Sequence, residues 1–442
     1  MSTVRCLISL AASKNWRIFQ LDINNAFLHG HLDEEVYMKI LVGVTAPPGF
    51  VCKLNKSLYG LKQASRQWFA RLHSELKSQD SGDLTVVAVY VDDILITGSN
   101  EDKIAALKSH LHLTFSIKDL GVLNFFLGIE VSHTNEGYIL TQKKYTKELL
   151  QDCELDISKP VVTPFPLNLK LTTEGTPYHN AELYRCYVGK LNFLTHTRPD
   201  ISFAVQCLSQ FMHSPTLQHI EALTHTLRYI HSTSGQGILL RATEQLTLQA
   251  FSDSDWAACP TTRRSVTGYV LLLGNSPISW KSKKQSTISK SSSEAEYRAM
   301  SQAAAEVTWI VRLLEELGVH NLKPVALHCD NQSAIHIATN PIFHERTKHI
   351  EVDCHFTRDK VLEGLLHLSY LPTHNQLADI FTKVLPGAQH RNLSTKLGMI
   401  NDSPMPSLRG GGGCWYSAQL SNTASNMITT TANKQGCNNH FF

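Results

Sequence analysis

Four acidic residues in the C-terminal part of the sequence stand where predicted strands and helices begin or end. Asp253 and Asp330 each follow a predicted strand. Glu296 lies in the first turn of a long predicted helix, and Asp379 begins a later one. Hydrolysis of a phosphodiester by two metal ions needs several carboxylate oxygens that converge on one point. Strand ends and helix starts of one sheet can supply that convergence, so the spacing predicts a metal centre.

Each of these carboxylates also has an ordinary structural explanation. Asp253, in Ser-Asp-Ser-Asp, could be a turn aspartate, and Asp330 could cap a helix. Glu296 lies three residues after Ser293 and could close a capping box, and Asp379 could compensate a helix dipole. One such residue alone favours the structural explanation. Four in this order, each at an element boundary, favour the metal centre.

A second set of carboxylates lies in the N-terminal part of the sequence. Asp92 and Asp93 are adjacent at a predicted turn between two apolar strands, and Asp22 ends a short strand. An Asp-Asp pair in an apolar hairpin is weak evidence by itself, because the pattern is short. Asp22 supplies a third carboxylate from another strand, and the three together make a second candidate site.

The elements that position these residues follow from apolar periodicity and turn residues. In the N-terminal part we predict helices over 3–12, 66–76 and 101–115, strands over 18–21, 85–90 and 94–97, and a hairpin over 125–141. A Pro- and Thr-rich linker over 161–177 precedes helices over 181–195, 201–212 and 219–232.

From residue 246 the pattern changes to strands followed by alternating helices and strands. We predict strands over 246–252, 325–329 and 365–371, a hairpin over 265–288, and helices over 294–317, 332–339, 352–363 and 376–385. Three strands, a helix and then alternating strands and helices predict an α/β layer fold.

Several segments around the second-domain carboxylates resemble the ribonuclease H part of copia-type retrotransposon polyproteins. The segments are 251–257, 291–297, 328–334, 347–356 and 376–383. The resemblance implies that Asp253, Glu296, Asp330 and Asp379 are catalytic metal ligands. Glu294 competes with Glu296 for this role, and the Tyr-Arg-Ala-Met that follows Glu296 favours Glu296.

The N-terminal carboxylates lie in segments that resemble the reverse transcriptases of the same family. The segments are Leu21–Phe27, Leu58–Phe69, Tyr90–Asp93 and His196–Val205. The resemblance implies that Asp22 and Asp92 hold the two metal ions and that Asp93 supports them. It also implies that Phe27 is a steric gate beneath the sugar, although Phe27 could simply be a core residue. Tyr59 and Gln63 lie in the segment that resembles the family's nucleotide-and-template segment, which implies that they contact the nucleotide. The cofactor that the resemblance implies is Mg²⁺ or Mn²⁺, two ions per active site.

Two further features carry open alternatives. Lys281, Lys283 and Lys284 beside Trp280 suit a phosphate backbone, or form a solvated basic turn. His374 precedes the last predicted helix, where it could assist proton transfer or product release, or be an ordinary surface histidine.

The resemblance predicts an α+β reverse-transcriptase palm remnant, a helical connection and an α/β ribonuclease H-like domain. We assign the palm and thumb part to 1–160, the linker and connection to 161–245, and the ribonuclease H domain to 246–386. A disordered tail is expected over 387–442. Segment 407–413 resembles translated polypurine tract, so we expect the residues after about 409 to be read-through. Compared with the family, the fingers are missing and a strand near 77–84 is absent, so we expect impaired polymerase activity.

Composition restricts the partners and the compartment. With 41 Lys+Arg against 38 Asp+Glu, the formal net charge is +3, so nucleic-acid binding must come from local patches. The ten cysteines include no C-x-x-C pair, which favours an intracellular, reducing environment over secretion. The expected partners are an RNA–DNA hybrid and, if the palm works, primer-template and deoxynucleotides, with no membrane. Two alternatives remain: a decayed or reused fragment that binds nucleic acid without catalysis, and a two-metal nuclease outside retroelements.

Overall fold

The computed structural model describes residues 1–41, 43–45, 47–77, 83–339, 351–401 and 427–431. Its helices are α1 (Ser2–Lys14), α2 (Ala64–Lys77), α3 (Glu101–Phe115), α4 (Lys143–Gln151), α5 (Ala181–Leu194), α6 (Ser202–Ser209), α7 (Leu217–Ser232), α8 (Ser292–Glu316), α9 (Gln332–Thr339), α10 (Glu351–Leu362) and α11 (Gly387–Lys396). Short 3₁₀ helices span Ala26–His29, Pro199–Ile201, Thr373–Asn375 and Leu377–Phe381. No helix in the described part of the chain is both long and apolar enough to cross a membrane.

The strands of the described residues belong to four sheets. They are β1 (Ile18–Asp22), β2 (His31–Met38), β3 (Cys52–Lys56), β4 (Thr85–Tyr90), β5 (Asp93–Gly98), β6 (Lys118–Val122), β7 (Phe125–Phe126), β8 (Ile129–Thr134), β9 (Gly137–Thr141), β10 (Gln236–Arg241), β11 (Leu248–Asp255), β12 (Val266–Leu273), β13 (Ser276–Lys284), β14 (Val325–Cys329), β15 (Leu366–Tyr370), β16 (Met399–Asn401) and β17 (Met427–Thr431). The fold is therefore mixed α/β, as the sequence predicts.

The chain divides into two compact units. The large unit contains Met1–Lys14, Asn124–Glu315 and Val319–Gly411. The small unit contains Asn15–Leu123, Glu316–Gly318 and Gly412–Phe442.

The small unit is built on an antiparallel sheet with the order β17-β4-β5-β1-β6. Helices α2 and α3 place their apolar side chains in one core with this sheet. In α3, Ile104, Leu107 and Leu111 recur at helical spacing and are buried. The helix begins at Asn100, whose side chain accepts hydrogen bonds from the backbone N–H groups of Asp102 and Lys103.

In the large unit, one sheet has the order β16-β10-β9-β8-β7. Helices α5, α6 and α7 share a separate apolar core. The predicted linker has no helix or strand, but Phe165 and Leu171 are 4% and 7% exposed and belong to this helical core. Segment 161–177 is therefore a packed coil.

A second sheet of the large unit has the order β13-β12-β11-β14-β15. Its first three strands pair antiparallel, and β14 and β15 add to β11 in parallel. The 3₁₀ helix Leu377–Phe381 lies directly against β12 at Gly268, where an added Cβ would meet atoms of Thr382, Phe381 and Ala378 at 2.6, 2.8 and 3.1 Å. Glycine is required there because the backbone must approach so closely.

The structure corrects the placement of the N-terminal helix. Predicted as part of the palm in 1–160, α1 instead packs on β9, β10 and β13 of the large unit. Its buried Arg5 lies over the Trp280 ring, 3.7 Å from the centroid, and donates hydrogen bonds to the carbonyls of Ile278 and His196. Residues 124–160 also belong to the large unit, so the two compact units do not divide at residue 160.

The prediction of a disordered tail from residue 387 is also wrong for the described residues. Helix α11 buries Leu393, followed by the buried Leu397, and β16 pairs with β10. Met427–Thr431 pairs with β4. These long-range contacts supply the burial that local sequence pattern did not indicate. The remaining tail, 402–426 and 432–442, lies outside the described residues, as do 78–82 at the shortened junction and the family-like segment 347–350.

Candidate functional sites

Four carboxylates of the large unit come from separate elements, which meet at the C-terminal ends of the neighbouring strands β11 and β14. Asp253 lies in β11, Asp330 directly follows β14, and Glu296 lies in the second turn of α8. Asp379 lies in the 3₁₀ helix Leu377–Phe381, not at the start of the helix predicted over 376–385. The side chain of Gln376, fully buried, donates a hydrogen bond to the Ser252 carbonyl at 3.0 Å and so fixes this segment beside β11.

Ligand atoms from these residues lie close together. One oxygen each of Asp253, Asp330 and Asp379 lie within 4.8 Å of one another. A second group, also within 4.8 Å, is formed by Glu296, Cys329 and Asp330. Asp330 belongs to both groups, so the two groups form one centre with a shared carboxylate.

The structure distinguishes between the two glutamates of α8. The carboxylate of Glu294 accepts hydrogen bonds from Arg298 at 2.8 Å and from the Lys290 backbone N–H at 2.8 Å. The carboxylate of Glu296 accepts from the Ser254 backbone N–H at 3.0 Å, beside Asp253. Glu296 therefore faces the other carboxylates, and Glu294 is engaged in a local ion pair.

Burial dominates the electrostatics of this centre. It raises the pKa of Glu296 well above its ordinary value, with a further rise from the nearby Asp253 and Asp330 carboxylates. Burial, followed by repulsion from Asp253, raises the pKa of Asp379 to about 6. The pKa of Asp253 also rises with burial, against the opposing attraction of Lys383.

Lys383 and Thr382 are neighbours of the carboxylates that the sequence analysis did not single out. The Lys383 ammonium lies 3.1 Å from Asp253 Oδ1 and 2.8 Å from Asp379 Oδ1. The Thr382 hydroxyl donates to the other Asp253 oxygen. Both residues lie in the family-like segment 376–383. A lysine close to an acidic residue in that segment is the sequence signal that could have identified Lys383.

The donor set fits a hard divalent cation. Carboxylate oxygens are the preferred ligands of Mg²⁺ and Mn²⁺. In the structure the Lys383 ammonium bridges Asp253 and Asp379, which shows that this pocket of oxygens attracts positive charge. Asp253, Glu296, Asp330 and Asp379 are thus the residues that would hold the ions.

The three lysines of β13 and His374, which the sequence also singled out, differ in their surroundings. Lys281 and Lys283 are exposed on one face of β13, since side chains alternate along a strand. Lys284 points the other way and contacts Gln210 Oε1 at 2.8 Å and Cys259 Sγ at 2.9 Å, which does not support a phosphate contact. His374 is exposed in the turn Thr373–Asn375, where Thr373 donates to Asp330 at 2.9 Å. The roles of Lys281, Lys283, Lys284 and His374 stay predictions.

The polymerase carboxylates lie together on neighbouring strands of the small unit. Strands β4 and β5 form a hairpin whose two-residue turn is Val91-Asp92, and Asp93 pairs with Asp22 of β1. The backbone N–H of Ile23 donates to the Asp92 carbonyl at 2.9 Å. Val91 has a φ of 53°, a strained conformation for a β-branched residue that is typical of functional turns.

Aromatic residues pack around this turn. Trp68 of α2 donates its indole N–H to the Val91 carbonyl at 3.0 Å. Tyr59 donates its hydroxyl to Asp92 Oδ1 at 2.7 Å, and its ring lies 4.6 Å from that of Phe27. Tyr59 and Phe27 are therefore beside the carboxylates, while the half-buried Gln63 lies just before α2.

The two carboxylate sites differ in how tightly they converge. Burial raises the pKa of Asp92 and of Asp93, with a further contribution from Asp22 in both cases. Yet in the described chain no group of three ligand atoms within 4.8 Å includes Asp22, Asp92 or Asp93. The carboxylates of the large unit are the more closely gathered set.

Comparison with known proteins identifies the family. The model of the reverse transcriptase (RNA-dependent DNA polymerase) family matches residues 1–81 and 76–166. The chain is 41% identical over 427 residues to the Retrovirus-related Pol polyprotein from transposon RE1 of Arabidopsis thaliana, covering 91% of this chain and 29% of that protein. It is 32% identical to the Putative transposon Ty5-1 protein YCL074W of Saccharomyces cerevisiae, covering 65% of this chain and all of that protein.

The chain belongs to the reverse transcriptase family of retrotransposon Pol polyproteins, and within it to the copia-type members, which confirms the resemblance seen in the sequence. It spans about three-tenths of the length of the first curated relatives that it matches. Among solved structures, the N-terminal RNase H domain of Rv2228c from Mycobacterium tuberculosis aligns with 34% of this chain at 8% identity and a TM-score of 0.25, too low for a fold assignment.

Proposed function

We propose that the large unit hydrolyses the RNA strand of RNA–DNA hybrids with two divalent metal ions. The observation that carries the proposal is the convergence of Asp253, Glu296, Asp330 and Asp379, which come from four separate elements and share Asp330 between two groups. Bound Mg²⁺ would supply Lewis-acid stabilisation of the phosphate and an activated water.

The protein's own residues have distinct parts in this proposal. The four carboxylates bind and orient the ions, and Gln376 fixes the segment that carries Asp379. Thr373 orients Asp330 through its hydroxyl. The exposed Lys281 and Lys283 contribute positive charge that attracts the phosphate backbone of the hybrid.

A second proposed activity, RNA-directed DNA polymerisation, belongs to the small unit. It is supported by the adjacent Asp22, Asp92 and Asp93 and by the family of the chain. We propose that it is impaired. Its carboxylates are less closely gathered than those of the large unit. The family model also matches in two separate segments, which overlap at 76–81 next to the shortened junction.

The test is a gel assay of the purified chain on a hybrid with a labelled RNA strand. Mg²⁺-dependent cleavage that stops with EDTA, and that does not occur on the same RNA as a single strand, is the expected result. Tight binding of the hybrid without cleavage in Mg²⁺ or Mn²⁺ would contradict the proposal and favour a non-catalytic nucleic-acid-binding fragment.

A further inference from the structure

One of the two ligand groups at the nuclease centre contains sulfur. Cys329 is the last residue of β14 and is fully buried, directly before Asp330. Its Sγ lies 3.8 Å from Glu296 Oε2, and the sulfur, one Glu296 oxygen and one Asp330 oxygen lie within 4.8 Å of one another. The other group, Asp253 with Asp330 and Asp379, offers oxygen alone.

The distance between sulfur and oxygen suits two ligands of one ion. A tetrahedral ion with metal–sulfur and metal–oxygen distances of about 2.3 and 2.1 Å separates those ligand atoms by about 3.6 Å. In the metal-free structure the Cys329 thiol donates to Glu296 Oε2 at 3.8 Å, a separation close to this value, and an ion bound by both atoms would release the thiol proton to solvent. Little movement of β14 or α8 is needed for both atoms to bind the same ion.

Ion pairing is also weaker on this side of the centre. Asp253 and Asp379 share the Lys383 ammonium, at 3.1 and 2.8 Å. Glu296 is 5% exposed, and no lysine, arginine or histidine of the described residues forms an ion pair with it. A buried carboxylate without a cationic partner is costly, so this position favours a bound cation.

We propose that Glu296, Cys329 and Asp330 form a metal subsite that prefers thiophilic divalent ions, of the Zn²⁺ and Cd²⁺ class, over Mg²⁺. Thiolate selects soft ions, whereas an all-oxygen set selects hard ones. Because Asp330 is shared, a soft ion held here distorts the oxygen group and inhibits hydrolysis. This inhibitory consequence rests on the proposed nuclease function, but the binding of the ion does not.

The full metal-free chain is titrated with Cd²⁺ in the presence of a phosphine reductant. Binding is monitored by the ultraviolet absorption band of sulfur-to-cadmium charge transfer. The variants are C329S, E296Q and, as the matched control, C259S, which removes another cysteine of the large unit that contacts a lysine. We expect saturation at one equivalent in the wild type and in C259S. Loss of the band in C329S, and Cd²⁺ affinity weakened about tenfold or more in E296Q, are expected.

An unchanged band in C329S, or no saturable band in the wild type, would overturn the subsite. Melting in EDTA checks that C329S is folded, and C329A replaces it if it is not. In a parallel arm, Cd²⁺ is added to hybrid cleavage in excess Mg²⁺, where C329S should need about tenfold more Cd²⁺ for half inhibition. If the wild type shows the saturable Cd²⁺ band but no Mg²⁺-dependent cleavage, the subsite is supported and the nuclease function is refuted.

Discussion

At the residue scale, Asp253, Glu296 and Asp379 are at most 5% exposed and lie near like charges. Burial in a medium of low polarity disfavours their ionised forms, and the pKa of each is raised accordingly. Lys383 offsets part of this cost at Asp253 and Asp379. The centre is therefore arranged to bind a cation. In the absence of a cation, the buried carboxylates lower the stability of the fold.

Asp253→Asn and Asp330→Asn are each expected to lower the rate of hybrid cleavage about a thousandfold, because each removes a charged ligand that contributes several kcal/mol to the transition state. The melting temperature in EDTA should not fall in Asp330→Asn, because the substitution relieves repulsion at the centre. Single-turnover cleavage in Mg²⁺ and thermal melting are the measurements. Wild-type cleavage by both variants would show that the site lies elsewhere.

The glutamates of α8 provide a matched pair. Glu296→Gln should abolish cleavage, since this carboxylate faces Asp253 and Asp330. Glu294→Gln weakens the local pairing with Arg298 and the bond to Lys290, which do not involve the other three carboxylates. Cleavage should therefore stay within about threefold of wild type, with a stability loss of about 1–2 kcal/mol. Rates and urea unfolding of the two variants are compared directly. Equal loss of activity in both would mean that α8 itself, and not Glu296, was disturbed.

At the element scale, the N-terminal helix contributes to the large unit through Arg5. This side chain is 4% exposed, stacks on Trp280 and satisfies the carbonyls of Ile278 and His196. Burial lowers the pKa of Arg5 to about 10, but the group stays charged at neutral pH. Helix α1 is thus fixed by a buried cation whose bonds all go to the large unit.

Arg5→Ala should destabilise the large unit by about 3 kcal/mol, because it removes buried hydrogen bonds and the cation–π contact and leaves a cavity. Arg185→Ala is the control: Arg185 is exposed on α5, and its substitution should cost less than about 1 kcal/mol. Urea unfolding measures both. Equal effects of the two substitutions would indicate that α1 is not docked as described.

The same contact region predicts a pH dependence. Burial, and next the Arg5 charge, lower the pKa of His196 to about 4, below the value of about 6.5 for an unfolded chain. The unfolded state therefore binds the proton first, and stability present above pH 6.5 is lost as the pH falls towards 4. His196→Phe, which cannot titrate, should gain up to about 2 kcal/mol relative to wild type between pH 7 and 4.5. Urea unfolding at several pH values tests this, and a constant difference between the two proteins would refute it.

At the scale of the whole molecule, the two carboxylate sites lie in separate units. The strands that carry Asp253 and Asp330 have all their sheet partners within the large unit, and Asp22, Asp92 and Asp93 lie in the small unit. A defect at the junction near 78–82 is therefore expected to affect polymerisation first. The site proposed to be a nuclease has its own sheet and core.

We expect a preparation that cleaves hybrid to extend a primer on an RNA template at least about a hundredfold more slowly than an intact polymerase of the family. Displacement of reacting groups by about an ångström costs on the order of a hundredfold. Primer extension and hybrid cleavage are measured on the same sample, with Asp92→Asn as the control. Extension at the rate of an intact polymerase, lost in Asp92→Asn, would show that the small unit tolerates the shortened junction.

The sequence by itself singled out the carboxylates that the structure brings together and, apart from Asp379, the elements that carry them. Asp253, Glu296 and Asp330 lie at predicted strand ends and at a predicted helix start because apolar periodicity and turn residues are local signals. The same holds for Asp22 and the Asp92–Asp93 hairpin. Family-like segments around these residues made the assignment specific.

Tertiary structure alone decided which other groups join them. Lys383 pairs with Asp253 from 130 residues away, and the Cys329 thiol meets Glu296 across 33 residues. Helix α1 and segment 387–401 fold because distant strands bury them, and Asp379 lies in a 3₁₀ turn because Gly268 lets that turn approach β12. Such contacts depend on how sheets and helices pack, and local sequence patterns carry no record of that packing.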